Sequence, residues 1–327
     1  MNAILQTRYG SRNLEIVNVP VPVPREGQVL VRVHSAALNY AVMFRVLGKP
    51  LPVRLMSGGL LKPKPWIPGG ELSGRVEAIG ANVRAFKPGD EVYGDTCRCG
   101  YGALAELVCA DEGVLAAKPV GLSFDQAAGV PQSALVALQA LRAGGLRSGQ
   151  QVLVHGASGG IGTFAVQIAK SFGAEVTGVC GARNLDLVRS LGAHRVIDYV
   201  SEGIADEAEA YDLIVSIRGT LPVRSYFRAL RPGGTYVMAG GSFFRFMMTQ
   251  VQASRLSGAA SRTMAKFTYA PNAEDLLLMK ELIEAGKVRP VIDRVYPLGQ
   301  TAAAFGYLRE GHATGRVIVR VRHAEGA

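Results

Sequence analysis

The residues best suited to chemistry stand at a single turn. The apolar run Val152-Leu153-Val154 feeds Ala157-Ser158-Gly159-Gly160-Ile161-Gly162, after which Phe164, Ala165, Ile168 and Ala169 recur at helical spacing. The order predicts strand, tight turn and helix. Ala157-x-Gly159-x-x-Gly162 is the dinucleotide fingerprint with alanine in its first place. Small residues let the backbone turn sharply and approach a pyrophosphate. The helix start then offers free N–H groups and the positive end of its dipole. Glycine also serves ordinary turns, so the surroundings must decide.

An acid about 20 residues beyond such a turn would hold the ribose hydroxyls of NAD. Here the second strand ends Val179-Cys180-Gly181-Ala182-Arg183-Asn184, and no acid stands there. Arg183 suits the 2′-phosphate of NADP. Its alternative is to decorate the start of a helix; the missing acid favours the phosphate. NADPH is therefore the expected cofactor, with Gly181 and Arg183 at its 2′-phosphate end. Tyr199, which follows Val196-Ile197-Asp198, is either near the adenosine or a plain surface tyrosine.

The elements that must position these residues can be read in outline. The chain has 327 residues, 48% of them hydrophobic, enough for two domains with real cores. Residues 1–122 read as irregular all-β, with alternating runs at Val29–Val33, Gly74–Ile79 and Ala105–Val108. A proline-rich stretch, Lys49–Pro68, reads as a long loop. Residues 123–287 alternate strand and helix, which predicts a doubly wound parallel sheet. Ser123 with Gln126 predicts a capping box before a helix over Ala127–Leu141. Pro232-Gly233-Gly234 reads as a turn before a strand at Thr235–Met238. Residues 288–327 break the rhythm, with strands at Val291–Val295 and Arg316–Val321 that predict a return to the first domain. The fold class is thus α/β.

Composition excludes some functions. No apolar run is long enough to span a bilayer, and Met1–Val17 lacks the features of a signal peptide, so a soluble cytoplasmic protein is expected. Cys97, Cys99, Cys109 and Cys180 form no CxxC pair and have no histidine beside them, so they read as reduced thiols rather than a zinc site. The net charge is +10, and no acid falls between Glu26 and Glu71 or between Asp212 and Glu274. The second of these stretches holds Arg218, Arg224, Arg228 and Arg231 among its cations. Such fields attract anions: a phosphorylated cofactor, nucleic acid or an acidic membrane. A solvated basic face accounts for most of these residues, and no nucleic-acid motif is present. The segment Phe243–Tyr269 mixes Phe243, Phe244, Phe246, Met247 and Met248 with arginines. It reads as a lid or an interface ahead of a membrane contact, and Thr263–Tyr269 alternates like a strand that can pair across a two-fold axis.

With these motifs in place, the chain resembles the medium-chain dehydrogenase/reductase superfamily. The resemblance rests on Gly144-x5-Gln150-Gln151-Val152-Leu153-Val154-His155-Gly156-Ala157-Ser158-Gly159-Gly160-Ile161-Gly162 and on Pro88-Gly89-Asp90-Glu91-Val92. Cys180–Asn184, Lys287–Asp293 and Gly311–Val319 resemble the zinc-free, quinone oxidoreductase-like branch. That likeness implies a GroES-like β domain, a Rossmann domain and a C-terminal return to the first. It implies NADPH-dependent reduction of quinones or α,β-unsaturated carbonyls; a homodimer is expected from the segment above. It places Asn39 near the nicotinamide, though on pattern alone Asn39 is also a turn residue closing a strand. Ala239-Gly240-Gly241 follow the fifth strand, where the family's backbone runs beside the nicotinamide, and Ser216 ends the fourth strand; a plain turn also fits Ala239–Gly241.

Zinc-dependent relatives carry cysteine, a His-Glu pair and a second cysteine around the metal. By position this chain has Asn39, Gly70-Glu71 and the Pro131–Gln132 region, so no metal is expected. Three positions depart from the family: Val42 and Ser216 replace aspartates, and Val136 replaces a threonine. No catalytic side chain is assigned. The alternatives are a metal-free alcohol or aldehyde oxidoreductase, and a non-catalytic NADPH-sensing or nucleic-acid-binding protein.

Overall fold

The computed structural model describes residues 1–202, 204, 207–241 and 261–321. Two strands, β1 (Asn2–Gln6) and β2 (Leu14–Asn18), pair antiparallel at the start of the chain. The long β3 (Gln28–Leu38) then becomes the spine of a larger sheet, because Val29, Val31 and Val33 alternate onto a buried face. β4 (Glu71–Ile79), β5 (Glu91–Asp95) and β7 (Leu115–Ala117) extend it on one side, and β6 (Leu107–Asp111) pairs with the first half of β3. The far side is closed from the end of the chain, by β15 (Arg316–Arg320) against Ser35–Leu38 and then β14 (Ile292–Pro297).

The predicted all-β character of this part needs correction. α1 (Tyr40–Leu47) starts directly after β3, because the Asn39 carboxamide accepts the Val42 N–H at 2.9 Å and so caps it. Val42, Met43 and Val46 form its buried face, and Gly48 ends it at φ +61°. The predicted loop 49–68 holds a further helix, α2 (Leu51–Met56), with a proline in its first turn, where the missing N–H costs nothing.

α3 (Phe124–Ala128) carries the predicted capping box: Gln126 N–H donates to Ser123 Oγ, and Ser123 N–H donates to Gln126 Oε1 at 2.9 Å. The single helix expected over Ala127–Leu141 is two. The chain breaks at Gly129-Val130, and α4 (Pro131–Ala143) restarts at a proline that can begin a helix but not continue one.

The parallel sheet is built from β8 (Gln151–His155), β9 (Glu175–Cys180), β10 (Arg195–Asp198), β11 (Tyr211–Ser216), β12 (Leu230–Met238) and β13 (Thr263–Ala265). Their order is β10-β9-β8-β11-β12-β13, all parallel, so the winding reverses between β8 and β11. α5 (Gly160–Ser171), α6 (Leu185–Ser190) and α7 (Val223–Ala229) make connections among these strands. β12 begins earlier than predicted. Pro232-Gly233-Gly234 is an irregularity inside it, as Tyr211 pairs with Leu230 but Leu213 with Thr235. The predicted strand 263–269 shortens to Thr263–Ala265 and pairs with β12 of its own sheet. Phe243, Phe244, Arg245, Phe246, Met247, Met248 and Arg255 lie outside the described residues.

The chain divides into two compact units: Met1–Gln132 with Pro271–Glu284 and Pro290–Ala327, and Ser133–Ala270 with Ala285–Arg289. The first thus includes α3, which packs on β3 and β4, and α8 (Ala273–Glu284), which packs on β7. Tyr93 Oη, fully buried, donates to Leu276 O of α8 at 2.6 Å. α9 (Thr301–Glu310) completes that unit's core through Ala304, Phe305 and Leu308. Among the described residues no helix is long and apolar enough to cross a membrane.

Candidate active site

The turn after β8 is fixed by its own backbone. Gly156 N–H and Ala157 N–H both donate to Val179 O of β9, at 3.0 and 2.9 Å. Gly156 sits at φ +94°, a conformation that favours glycine. A Cβ on Gly162 would lie 2.0 Å from Gly156 O, so the first turn of α5 can approach the strand only if this residue is glycine. Gly159, the N-cap of α5, is less crowded: the nearest atom to an added Cβ is Gly156 O at 3.6 Å, an ordinary contact. A helix start so placed has free N–H groups suited to an anionic group.

Most residues expected to bind the cofactor gather at this edge. Ser158 Oγ accepts from Asn184 Nδ2 at 3.1 Å, tying the turn to the loop after β9. Arg183 lies exposed in that loop, within the 3-10 turn Ala182–Asn184. The Tyr199 ring covers Gly181, with Oη 3.3 Å from the Cβ that glycine lacks, and stays 62% exposed. Gly160 and Ile161 open α5. Ala239 N–H donates to Ser216 O at 2.9 Å, and a Cβ on Gly240 would lie 2.4 Å from Ile217 O. Gly241 follows at φ +123°.

Ser216 plays a different part from its neighbours. It is fully buried, accepts the Gly219 N–H at 3.0 Å and meets Tyr226 Oη at 3.2 Å. Tyr226 Oη in turn lies 2.6 Å from His155 Nδ1, and Tyr226 stacks on Tyr236 with ring centres 4.9 Å apart. Burial, aided by the Arg218 charge, lowers the His155 pKa to about 4, so the imidazole is neutral at pH 7. The sequence singled out neither His155 nor Tyr226 for this network, since Tyr226 is 71 residues away and reaches it from α7.

Asn39 belongs to the other unit, where it joins a buried carboxylate. Glu71 Oε1 accepts from Asn39 Nδ2 at 3.1 Å and from Arg316 Nη2; Oε2 accepts Gln132 N–H at 3.0 Å. Asp95 sits alongside, accepting from Cys97 N–H at 2.8 Å and Gln132 Nε2 at 3.4 Å. Burial raises the Glu71 pKa to about 7, with Asp95 adding to the rise and Arg316 and Asn39 opposing it. Burial and Asp95 likewise push the Cys97 thiol well above its ordinary value. A catalytic zinc takes thiolates and imidazoles. Around Glu71 stand instead an amide, a guanidinium and a backbone N–H, all donating to the carboxylate. The guanidinium already supplies the positive charge a cation would bring, and the donor set does not fit zinc. Arg316 was not legible as Glu71's partner: 245 residues separate them.

A parallel sheet with a glycine-rich strand–turn–helix at its reversal point, in one chain with an antiparallel β unit, is the two-unit fold of nucleotide-dependent oxidoreductases. Residues 25–120 match the alcohol dehydrogenase GroES-like domain, and residues 191–319 match the zinc-binding dehydrogenase family. The chain is 32% identical to a chloroplast envelope quinone oxidoreductase homolog of Arabidopsis thaliana, across 98% of both chains. It is 33% identical to an NADPH-dependent alkenal/one oxidoreductase, chloroplastic, of the same plant, covering 92% of this chain and 74% of that one. Among solved structures, the quinone oxidoreductase from Coxiella burnetii superposes with a TM-score of 0.85 at 28% identity, over 98% of this chain and 99% of that one. The chain belongs to the medium-chain dehydrogenase/reductase superfamily, in its zinc-free, quinone oxidoreductase-like branch.

Proposed function

We propose that the protein is a zinc-independent reductase that uses NADPH to transfer hydride to a quinone or an α,β-unsaturated carbonyl. The observation that carries this reading is the turn itself: uncrowded at Gly159, closely packed at Gly162, with Arg183 where an NAD enzyme would place an acid. The names of its relatives support the same chemistry. When bound, NADPH supplies a hydride, and water supplies the proton that completes the reduction. In this reading Ala157–Gly162 hold the pyrophosphate, Arg183 reads the 2′-phosphate and Tyr199 flanks the adenosine. Ala239–Gly241 give the small-residue backbone beside the nicotinamide. Asn39 orients cofactor or substrate through its amide, and Ser216 supports the site from beneath. The unit of Ser133–Ala270 with Ala285–Arg289 serves the cofactor, and the unit of Met1–Gln132 with Pro271–Glu284 and Pro290–Ala327, which takes in more of the chain than the expected 1–122 and 288–327, serves the substrate. An enone or quinone delocalises the charge that hydride addition creates, so it needs less Lewis-acid help than a simple ketone. That suits a Glu71 cluster whose donors do not fit zinc.

We further place the protein in the cytoplasm as a homodimer. The four cysteines are all free thiols, which suits a reducing compartment; some relatives are named as chloroplastic or mitochondrial proteins. β13 ends the parallel sheet among the described residues, and its outer edge is where we place the two-fold contact.

The test is NADPH oxidation with a panel of quinones, 2-alkenals, enones and simple aldehydes, and NADP+ reduction with simple alcohols. Turnover of quinones or enones, with no loss after chelator treatment, is the expected result. Turnover confined to simple alcohols and aldehydes would move the protein to the alternative oxidoreductase class. NADPH binding without turnover of any member would make it a sensor.

A further inference from the structure

Arg218 stands at the reversal point of the sheet. β11 lies beside β8, and Ile217 N–H donates to His155 O at 2.9 Å, which brings the loop after β11 against the cofactor turn. A Cβ on Gly156 would lie 3.4 Å from Arg218 Cγ and 3.5 Å from its backbone nitrogen. The positive-φ residue that opens the turn is therefore in contact with the stem of Arg218, whose side chain is exposed. The loop is built to stay there. Gly219 N–H donates to the buried Ser216 Oγ at 3.0 Å, and Thr220 Oγ1 lies 3.5 Å from His155 Nε2. Beneath both, Ser216, Tyr226 and His155 form one buried chain of polar contacts.

We propose that Arg218 is a second cation of the cofactor site, binding the pyrophosphate oxygens from the β11 side while Arg183 reads the 2′-phosphate from the β9 side. A guanidinium donates two parallel hydrogen bonds to phosphate oxygens and keeps its charge at any working pH. The helix start of α5 supplies only partial charges to the same group. The buried His155–Tyr226–Ser216 chain then has a function: it positions the loop that carries Arg218. This inference rests on the reading of the turn as an NADPH site.

The test compares binding of ADP-ribose and 2′-phospho-ADP-ribose, which share the pyrophosphate and differ in the 2′-phosphate, by calorimetry to the wild type, Arg218→Ala, Arg218→Lys and Arg183→Ala. Arg218→Ala is expected to lose roughly tenfold or more in affinity for both ligands. Arg218→Lys should recover part of the loss, and unliganded thermal unfolding should be unchanged in the lysine variant. Arg183→Ala should lose affinity for 2′-phospho-ADP-ribose alone. Unaltered ADP-ribose binding by Arg218→Ala, or a loss confined to 2′-phospho-ADP-ribose, overturns the assignment while leaving the NADPH reading intact. Failure of the wild type to bind either ligand overturns both.

Discussion

At the scale of single residues, the two ionisable groups that matter most are Glu71 and Arg183, and each has a clear test. Glu71 has a pKa raised by burial from its ordinary 4.5 to about 7. The folded state therefore holds this proton more tightly than the unfolded chain. Its contribution to stability is fully present below about pH 4.5 and is lost as pH rises through about 7. Denaturant titrations of the wild type and Glu71→Gln should show this directly. The wild type should lose up to about 3 kcal/mol relative to the variant between pH 4 and pH 8; parallel profiles would count against the assignment. Removing the partner is harsher: Arg316→Met leaves the buried carboxyl with its Asn39 and Gln132 donors but no counter-charge, and should cost roughly 3–5 kcal/mol at pH 8. Arg183 acts at the surface, where stability is not at stake. Arg183→Ala should weaken NADPH binding roughly tenfold and leave NADH unchanged, as read by quenching of Trp66 and tyrosine emission. Equal losses for both cofactors would show that Arg183 does not read the phosphate.

Elements enter where one residue sets the path of a whole segment. Gly162 decides how closely α5 approaches β8, because any Cβ there meets Gly156 O at 2.0 Å. Gly162→Ala must therefore push the helix start away from the turn. Loss of NADPH binding, with a fall in melting temperature of several degrees, is the expected outcome. Gly159→Ala is the matched control. Its added methyl meets nothing closer than 3.6 Å in the protein, so melting should change little. At α3, Ser123→Ala removes one half of the capping box and should cost about 1 kcal/mol in a denaturant titration.

For the whole molecule, the notable point is how the first unit gathers distant pieces of chain. Its main sheet is completed by β14 and β15 from the end of the sequence, and α8 is held to it by the Tyr93 hydroxyl. Truncating the chain before β14 would remove β15 from the edge of β3 and, with it, Arg316 from Glu71. Such a variant should fail to give a cooperative unfolding transition by circular dichroism. The assembly state belongs to this scale too. Sedimentation of the intact protein should give twice the mass of one chain, and a charge at the exposed Thr263 of β13, Thr263→Lys, should shift it toward the monomer.

The strand–turn–helix around Ala157–Gly162 was legible in the sequence, because its logic is local. Ala157–Gly162, the strand before it and the helix after it lie within about 20 consecutive residues, and steric need at Gly162 speaks through residue type alone. The same holds for the capping box at Ser123 and for the strand–helix rhythm of the parallel sheet. The sequence also showed that Asn39 and Glu71 stand where zinc relatives have other residues. Local signals failed where the chain changes structure at a proline or a glycine: α2 inside the proline-rich stretch, the break before α4, and the irregularity at Pro232-Gly233-Gly234. The buried polar clusters arise from long-range packing alone. Arg316 reaches Glu71 across 245 residues, and Tyr226 reaches His155 across 71. Such pairs carry no pattern in sequence, because their energy comes from burial and long-range packing rather than from spacing along the chain.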